Sequence, residues 1–456
     1  MHNKGQRTMR IAVQAGSLVL LMSTSALATP PGQSPRPEIR PGNQAAIQAG
    51  APVTGALQVA VAESLKPETR AKTMTASQVT RGTGNARFDL WIEAFESRAR
   101  AQGISKATFD LAFATVSYDE DAIRRDSNQS EFTKAIWDYL DSAASDVRIR
   151  NGKAALASQG ATLEAIERRY GVEKEIVAAV WGLESAYGSF RGSSHVVSSM
   201  ATLAFDGRRG AFFEDQLIAA LRILQSGDTT AENMTGSWAG AMGHTQFMPT
   251  SYLDYAVDFT GDGRRDIWSD DPSDALASTA AYLKRFGWQT GQPWGVEVRL
   301  PGGFDFAQAD RKIERSPADW ARMGVTGLDG RPVPDHGRAA ILLPAGGKGP
   351  AFMIFDNFSV IERYNAADAY VIGVGHLADR LAGRPAIQTA WPRDDRALTF
   401  SERKEMQQRL TDAGFSTQGV DGRVGPNTIS AVRAYQLARG LLPDGYPSLS
   451  LLTRLR

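Results

Sequence analysis

The chain of 456 residues carries 51 Lys and Arg against 50 Asp and Glu, is 42% hydrophobic and contains no cysteine. Its length allows two or three domains with cores of their own, and its net charge of +1 lacks the large basic excess of a nucleic-acid protein, so no nucleic-acid partner is expected. Without cysteine there is no disulfide, iron–sulfur cluster, thiolate zinc site or cysteine nucleophile, and no lipid carried on a cysteine thiol.

The stretch 1–28 differs from the rest. Lys4, Arg7 and Arg10 make a cationic start, an apolar run follows from Ile11 to Leu27, and Ala26-Leu27-Ala28 is a small-x-small pattern just before Thr29-Pro30. This is the layout of a cleavable secretory signal. The alternative is an uncleaved anchor, against which stand Ser17, Ser23, Thr24, Ser25 and an apolar core short of the ~20 residues a span needs. Removing three of the 51 basic residues and none of the 50 acidic ones leaves an exported chain with net charge −2. From Thr29 to Asn85 the sequence is rich in Pro, Gly, Gln, Ala, Ser and Thr and has no aromatic residue; residues 29–85 are expected to be a disordered tether.

Aromatics begin at Phe88 and Trp91, and the folded region is expected to span 86–385. Phe88, Trp91, Phe95 and Ala99 recur at helical spacing, as do Leu163, Ile166 and Tyr170, then Ile176, Val177 and Val180, with Gly171 separating two helices. Residues 296–304 and 338–356 hold short apolar stretches broken by Pro and Gly, the pattern of small strands and loops. Residues 386–397, with Pro392 and a run of charges, read as a linker. Residues 398–456 read as short helices around the turn Asp421-Gly422-Arg423-Val424-Gly425-Pro426-Asn427.

The most informative stretch is Val177 to Gly188. On a helix Glu184 shares the apolar stripe of Val177, Val180 and Tyr187, where a solvated face would not put it. A carboxyl group there loses hydration, which favours its neutral form, and a protonated carboxylic acid is what general-acid cleavage of a glycosidic bond requires. The structural alternative is a buried Glu paired with an arginine. A second stretch, Gly236 to Tyr252, has Gly236, Gly240 and Gly243 close together, too many for a stable helix and suited to close approach of backbone to a ligand. Ser237, Gln246 and Tyr252 add neutral hydrogen bonding, and Trp238, Phe247 and Met248 add flat or soft apolar surface. That mixture suits an amide-bearing sugar; the alternative is a glycine-rich interhelical loop.

Glu184-Ser185 with Tyr187-Gly188, then Ser237 to Tyr252, then Tyr364-Asn365 with Tyr370, together resemble the lytic murein transglycosylases of the membrane-bound B (MltB) family, in the family's order over about residues 86–385. The resemblance implies a mainly α fold: a lysozyme-like (goose-type, soluble-transglycosylase-like) catalytic domain with small β elements. It implies Glu184 as the single catalytic acid and base, cleaving the bond between N-acetylmuramic acid and N-acetylglucosamine of peptidoglycan without water. An intramolecular hydroxyl as nucleophile makes a second carboxylate dispensable, and residues 236–252 contain no Asp or Glu. It further implies Ser185, Tyr187, Ser237, Gln246, Tyr282, Tyr364, Asn365 and Tyr370 as substrate-binding residues, and Arg208 and Arg209 as the family's arginine pair. The family often has Ser two residues after the Asn of Tyr-Asn, where this chain has Ala367. No cofactor is required, and a muramidase using water or a non-catalytic wall-binding protein remain the alternatives.

Asp258, Thr260 and Asp262, followed by Gly263, have the spacing of the first half of an EF-hand loop, but position 12 is Ser269. The resemblance implies a structural calcium ion held by Asp258, Thr260, Asp262, Arg264 and Asp274; the alternative is an Asp-rich turn without metal. Finally, Met406 to Leu410, Gly414-Phe415, Val420-Asp421-Gly422, Gly425 to Thr428, Ala431-Val432, Tyr435-Gln436, Leu441 and Asp444-Gly445 together resemble a type-1 peptidoglycan-binding domain, a small three-helix unit. The expected protein is a periplasmic monomer with peptidoglycan glycan strands as its partner. It is expected to have no stable membrane anchor and not to be a lipoprotein.

Overall fold

The computed structural model describes residues 82–127 and 134–456; the signal sequence expected at 1–28 and the tether up to residue 81 lie outside the described residues. The described residues begin slightly before the first aromatic. The Asn85 side chain accepts hydrogen bonds from the N–H groups of Arg87 and Phe88, capping the helix Ala86–Ala101, and buried Thr83 donates to Asp89 at 2.6 Å. Four unsatisfied N–H groups open every helix, and a side-chain acceptor at the cap offsets part of that cost.

The chain is mainly α, with short strands in two small sheets. At its centre lies the helix Lys174–Ser185, buried at every position from Ile176 onward. Its small residues Ala178, Ala179 and Gly182 allow neighbours to close in on all sides, the pattern of a core helix. The helix Asp368–Leu381 packs along it. A Cβ at Gly373 of that helix would lie 3.0 Å from the Tyr139 ring and 3.3 Å from Leu183; glycine there lets the short helix Ile136–Ala143 approach. The aromatics at helical spacing, Phe88 and Phe95, are fully buried, and Phe109 stacks on Phe113 at 4.2 Å. Each such side chain removed from water contributes about 1.5–3 kcal/mol.

The stretches expected to form small strands do so. An antiparallel sheet runs Thr326–Gly327, Gly295–Arg299, Ala351–Ile354, Ala340–Leu342 in spatial order, and Val298, Trp320, Val325, Ile341 and Met353 form a separate core on it. Near the C-terminus the helices Phe400–Asp412, Pro426–Ala438 and Leu449–Leu455 enclose Leu398, Met406, Leu410, Val432, Leu451 and Leu452. Thr399 and Glu402 form a reciprocal capping box, and Pro426 opens the second of these helices. This unit touches the sheet region directly: Asp444 accepts from the Gly347 N–H at 2.9 Å and Arg433 donates to the Phe306 carbonyl at 3.2 Å. No helix among the described residues is long and apolar enough to cross a membrane.

Candidate active site

Glu184 sits near the C-terminal end of the central helix and is 8% exposed. Tyr370, from the helix Asp368–Leu381, donates its hydroxyl to Glu184 Oε1 at 2.7 Å. The Tyr364 ring lies parallel to that of Tyr370 at 6.4 Å, and Tyr282 meets Tyr364 edge-on at 5.1 Å. Burial, and after it the negative charge of Glu184, pushes the phenols of Tyr139, Tyr364 and Tyr370 above their usual range. All three therefore stay protonated and can donate, and the carboxyl group whose charge reaches each of them is Glu184.

The backbone after Glu184 turns back at once. Four described non-glycine residues have positive φ; two of them, Ala186 and Tyr187, follow directly after Glu184-Ser185, and a third, Gln246, lies in the glycine-rich loop. Such conformations cost about 1–3 kcal/mol each and persist only where packing imposes them. Here the Tyr187 hydroxyl donates to the Arg148 carbonyl at 3.1 Å, and its ring covers Gly182, where any Cβ would collide with it. Ser185 is fully buried; its hydroxyl donates to the His244 carbonyl at 2.6 Å and accepts from the Gly188 N–H at 2.9 Å. It thus ties the central helix to the glycine-rich loop.

That loop is not helical. Ser237 closes a tight turn, its N–H bonded to the Ala241 carbonyl and its hydroxyl accepting from the Ala241 N–H. Gln246 donates to the carbonyls of Arg191 and Gly243 at 2.9 and 2.7 Å, leaving its own carbonyl oxygen buried without a partner. A Cβ at Gly243 would lie 2.2 Å from the Ile267 carbonyl oxygen, so this position requires glycine. Tyr364 and Tyr282 are buried, with hydroxyls on the backbone carbonyls of Thr245 and Arg363 at 2.6 Å each. Asn365 accepts from the Ala367 N–H at 3.0 Å, so the residue that replaces the family's usual serine engages this asparagine through its backbone.

The structure therefore brings Glu184, Tyr364 and Tyr370 together and places Ser185, Tyr187, Ser237, Gln246, Tyr282 and Asn365 as the frame that holds loop and helix ends. Arg208 and Arg209 form a separate cluster on Asp126, whose side chain is 2% exposed. Two groups were not legible in the sequence as site residues. Tyr139 comes from a short helix with nothing local to distinguish it from core. His244 lies inside the glycine-rich run; its Nδ1 accepts from the Trp181 indole at 3.1 Å, which leaves Nε2 to donate to the Ser269 carbonyl at 2.8 Å, and burial lowers its pKa.

Asp258, Asp262 and Asp274 bring carboxylate oxygens within 4.8 Å of one another. Asp274 is 3% exposed and accepts from the N–H groups of Phe259, Thr260 and Asp266. Asp258 accepts from Gly261, Gly263 and the Thr260 hydroxyl, and Asp262 from the Arg264 N–H.

The Transglycosylase SLT domain family matches residues 87–379, and a peptidoglycan binding domain matches residues 401–455. The membrane-bound lytic murein transglycosylase B of Escherichia coli (strain K12) is 36% identical over 220 residues, which span 47% of this chain and 58% of that protein. SltB3 from Pseudomonas aeruginosa, solved in complex with NAG-anhNAM-pentapeptide, is 49% identical with a TM-score of 0.79, over 81% of this chain and 99% of that one. The Escherichia coli lytic transglycosylase SLT35, solved in complex with calcium, is 29% identical with a TM-score of 0.55, over 64% of this chain and 92% of that one. Matched by that family over residues 87–379, the stretch that holds the buried glutamate, its tyrosines and the glycine-rich loop, the chain belongs to the SLT family of lytic transglycosylases.

Proposed function

We propose that this chain cleaves the β-1,4 bond between N-acetylmuramic acid and N-acetylglucosamine in peptidoglycan, leaving a 1,6-anhydro end and consuming no water. The observation that carries this reading is the buried carboxyl group of Glu184, hydrogen-bonded by Tyr370 and enclosed by tyrosines. Protonated Glu184 donates to the bridging oxygen as the C1–O bond breaks. The resulting carboxylate then takes the proton of the C6 hydroxyl of the same muramic acid, whose oxygen bonds to C1. A nucleophile within the substrate supplies the effective concentration that a water-activating second carboxylate would otherwise provide. Asp258, Asp262 and Asp266, the candidates for a water-activating second carboxylate, accept hydrogen bonds from their own loop. We assign Ser185, Tyr187, Arg208, Arg209, Ser237, Gln246, Tyr282, Tyr364, Asn365 and Tyr370 to substrate binding, the buried Ser185, Gln246, Tyr282 and Tyr364 by holding the walls of the site in place.

The oxygen-only set of Asp258, Asp262 and Asp274 suits a hard cation, and we assign calcium to it, with Thr260 and Arg264 completing the ligands. Bound there, calcium supplies charge neutralisation to a folded loop; the cleavage chemistry stays with Glu184. We further place the catalytic domain at 86–385, joined by 386–397 to a glycan-binding unit at 398–456. The exported protein acts in the periplasm after its leader is removed.

Digestion of purified peptidoglycan with the wild type and Glu184→Gln, followed by mass spectrometry of the fragments, tests the reaction. Wild-type products are expected without an added water per cut, and Glu184→Gln is expected to release none. Hydrated products would assign a muramidase, and equal release by both proteins would remove Glu184 from the chemistry. Co-sedimentation with insoluble peptidoglycan should weaken when 398–456 is deleted; unchanged sedimentation would take the binding role from that unit.

A further inference from the structure

The segment that joins the two units is packed against the helix beside the reaction carboxyl group. The N–H groups of Gln388 and Thr389 both donate to the Glu297 carboxylate, at 2.9 and 2.7 Å. Trp391 meets Trp137 with ring centroids 6.3 Å apart. Arg393 makes a two-pronged ion pair with Asp141, at 2.7 and 2.8 Å. Asp395 accepts from the N–H and hydroxyl of Ser450, on the last helix of the C-terminal unit, at 3.2 and 2.8 Å.

Trp137 and Asp141 belong to the same short helix, Ile136–Ala143, four residues apart and so on one face. Tyr139 and Ala143 form the opposite face, packed onto Gly373 of the helix that carries Tyr370, one turn after it. Helix Ile136–Ala143 has eight residues and no side-chain cap at its start. A helix this short has little stability of its own, and its position comes from what packs on its two faces. One face rests on the joining segment and the other on the helix that carries Tyr370.

We propose that Gln388–Ala397 is a clamp that fixes helix Ile136–Ala143, and with it Tyr139 and the Tyr370–Glu184 contact, so that Trp391 and Arg393 are positioning residues for the cleavage reaction. The proposal rests on the reaction assigned above. Neither residue touches substrate; each acts through Trp137 or Asp141 on the far side of the helix from the carboxyl group. A displacement of an ångström or less at a catalytic group is enough to lower turnover severalfold or more.

The test uses the full chain and a soluble substrate, a tetrasaccharide of two N-acetylglucosamine–N-acetylmuramic acid units, so that anchoring on insoluble wall plays no part. Trp391→Ala is expected to lower kcat by about tenfold while KM stays within about twofold, and Trp391→Phe, which keeps an aromatic ring on Trp137, to restore kcat. Because Trp391→Ala could disturb folding, Arg393→Gln tests the same clamp from an exposed pair, with kcat expected to fall by about threefold and to recover in Arg393→Lys. A folded Trp391→Ala protein with wild-type kcat overturns the clamp, as does an effect on KM alone. If Trp391→Ala does not fold, wild-type kcat in Arg393→Gln overturns it. Failure of the reaction assignment shows separately, as activity retained by Glu184→Gln.

Discussion

The Tyr370 hydroxyl donates to Glu184 Oε1 at 2.7 Å across 186 residues of sequence. Both groups are buried, and burial keeps the phenol protonated far above neutral pH. In the reaction proposed above, this contact orients a carboxyl group that gives up a proton and then accepts one. A hydrogen bond to a charged group is worth about 1.5–3 kcal/mol. Tyr370→Phe keeps the ring and removes the donor, so kcat is expected to fall by roughly ten- to a hundredfold, with the melting temperature little changed. Turnover within twofold of wild type would show that this contact does not contribute to the reaction.

Gly243 is where the glycine-rich loop meets the backbone of Ile267, and its φ of +68° adds to the steric demand. Gly243→Ala is expected to destabilise the protein by about 1–3 kcal/mol, read as a lowered urea midpoint. Activity should fall with it, because the same loop carries His244 and Gln246. An unchanged midpoint would mean that the loop relaxes without cost.

Calcium bound to the folded protein and not to the unfolded chain stabilises by mass action, about 2.7 kcal/mol at a hundredfold excess over its dissociation constant. A higher melting temperature in calcium than in chelator is therefore expected, and Asp274→Asn should abolish the difference. Burial, opposed by the three N–H groups it accepts and helped by the charge of Asp258, raises the pKa of Asp274, so the calcium response should weaken as the pH falls. A wild-type protein that melts identically in both conditions would remove the metal assignment.

His376 has its pKa pushed down to about 4, first by burial and then by the positive charge of Arg380. Its ordinary value in an unfolded chain is about 6.5. Between those two values the unfolded state binds a proton that the folded state does not, so stability falls as the pH is lowered from about 6.5 to about 4 and is insensitive to this group outside that window. His376→Gln is expected to flatten this part of the curve in denaturation titrations. An unchanged slope would assign the acid sensitivity of this region to other groups.

The sequence by itself determined the helical class, the short strands near 296–304 and 338–356, and the chemical character of the Glu184 and Gly236–Tyr252 stretches. These signals are local: apolar spacing marks a buried stripe, clustered glycines mark a broken helix, and Asp258, Thr260 and Asp262 have the spacing of half an EF-hand loop. The contacts that decide chemistry are not local. Nothing near Glu184 in sequence announces Tyr370 or Tyr139, which reach it only because Gly373 lets two helices close on the central one. Nor does the sequence show that Arg208 and Arg209 share Asp126, or that Trp391 in a polar joining stretch rests on Trp137. A side chain's type and spacing are written along the chain, but its partner, burial and orientation come from packing between elements far apart in it. The tertiary structure therefore decided which tyrosine holds the carboxyl group and what holds that tyrosine in place.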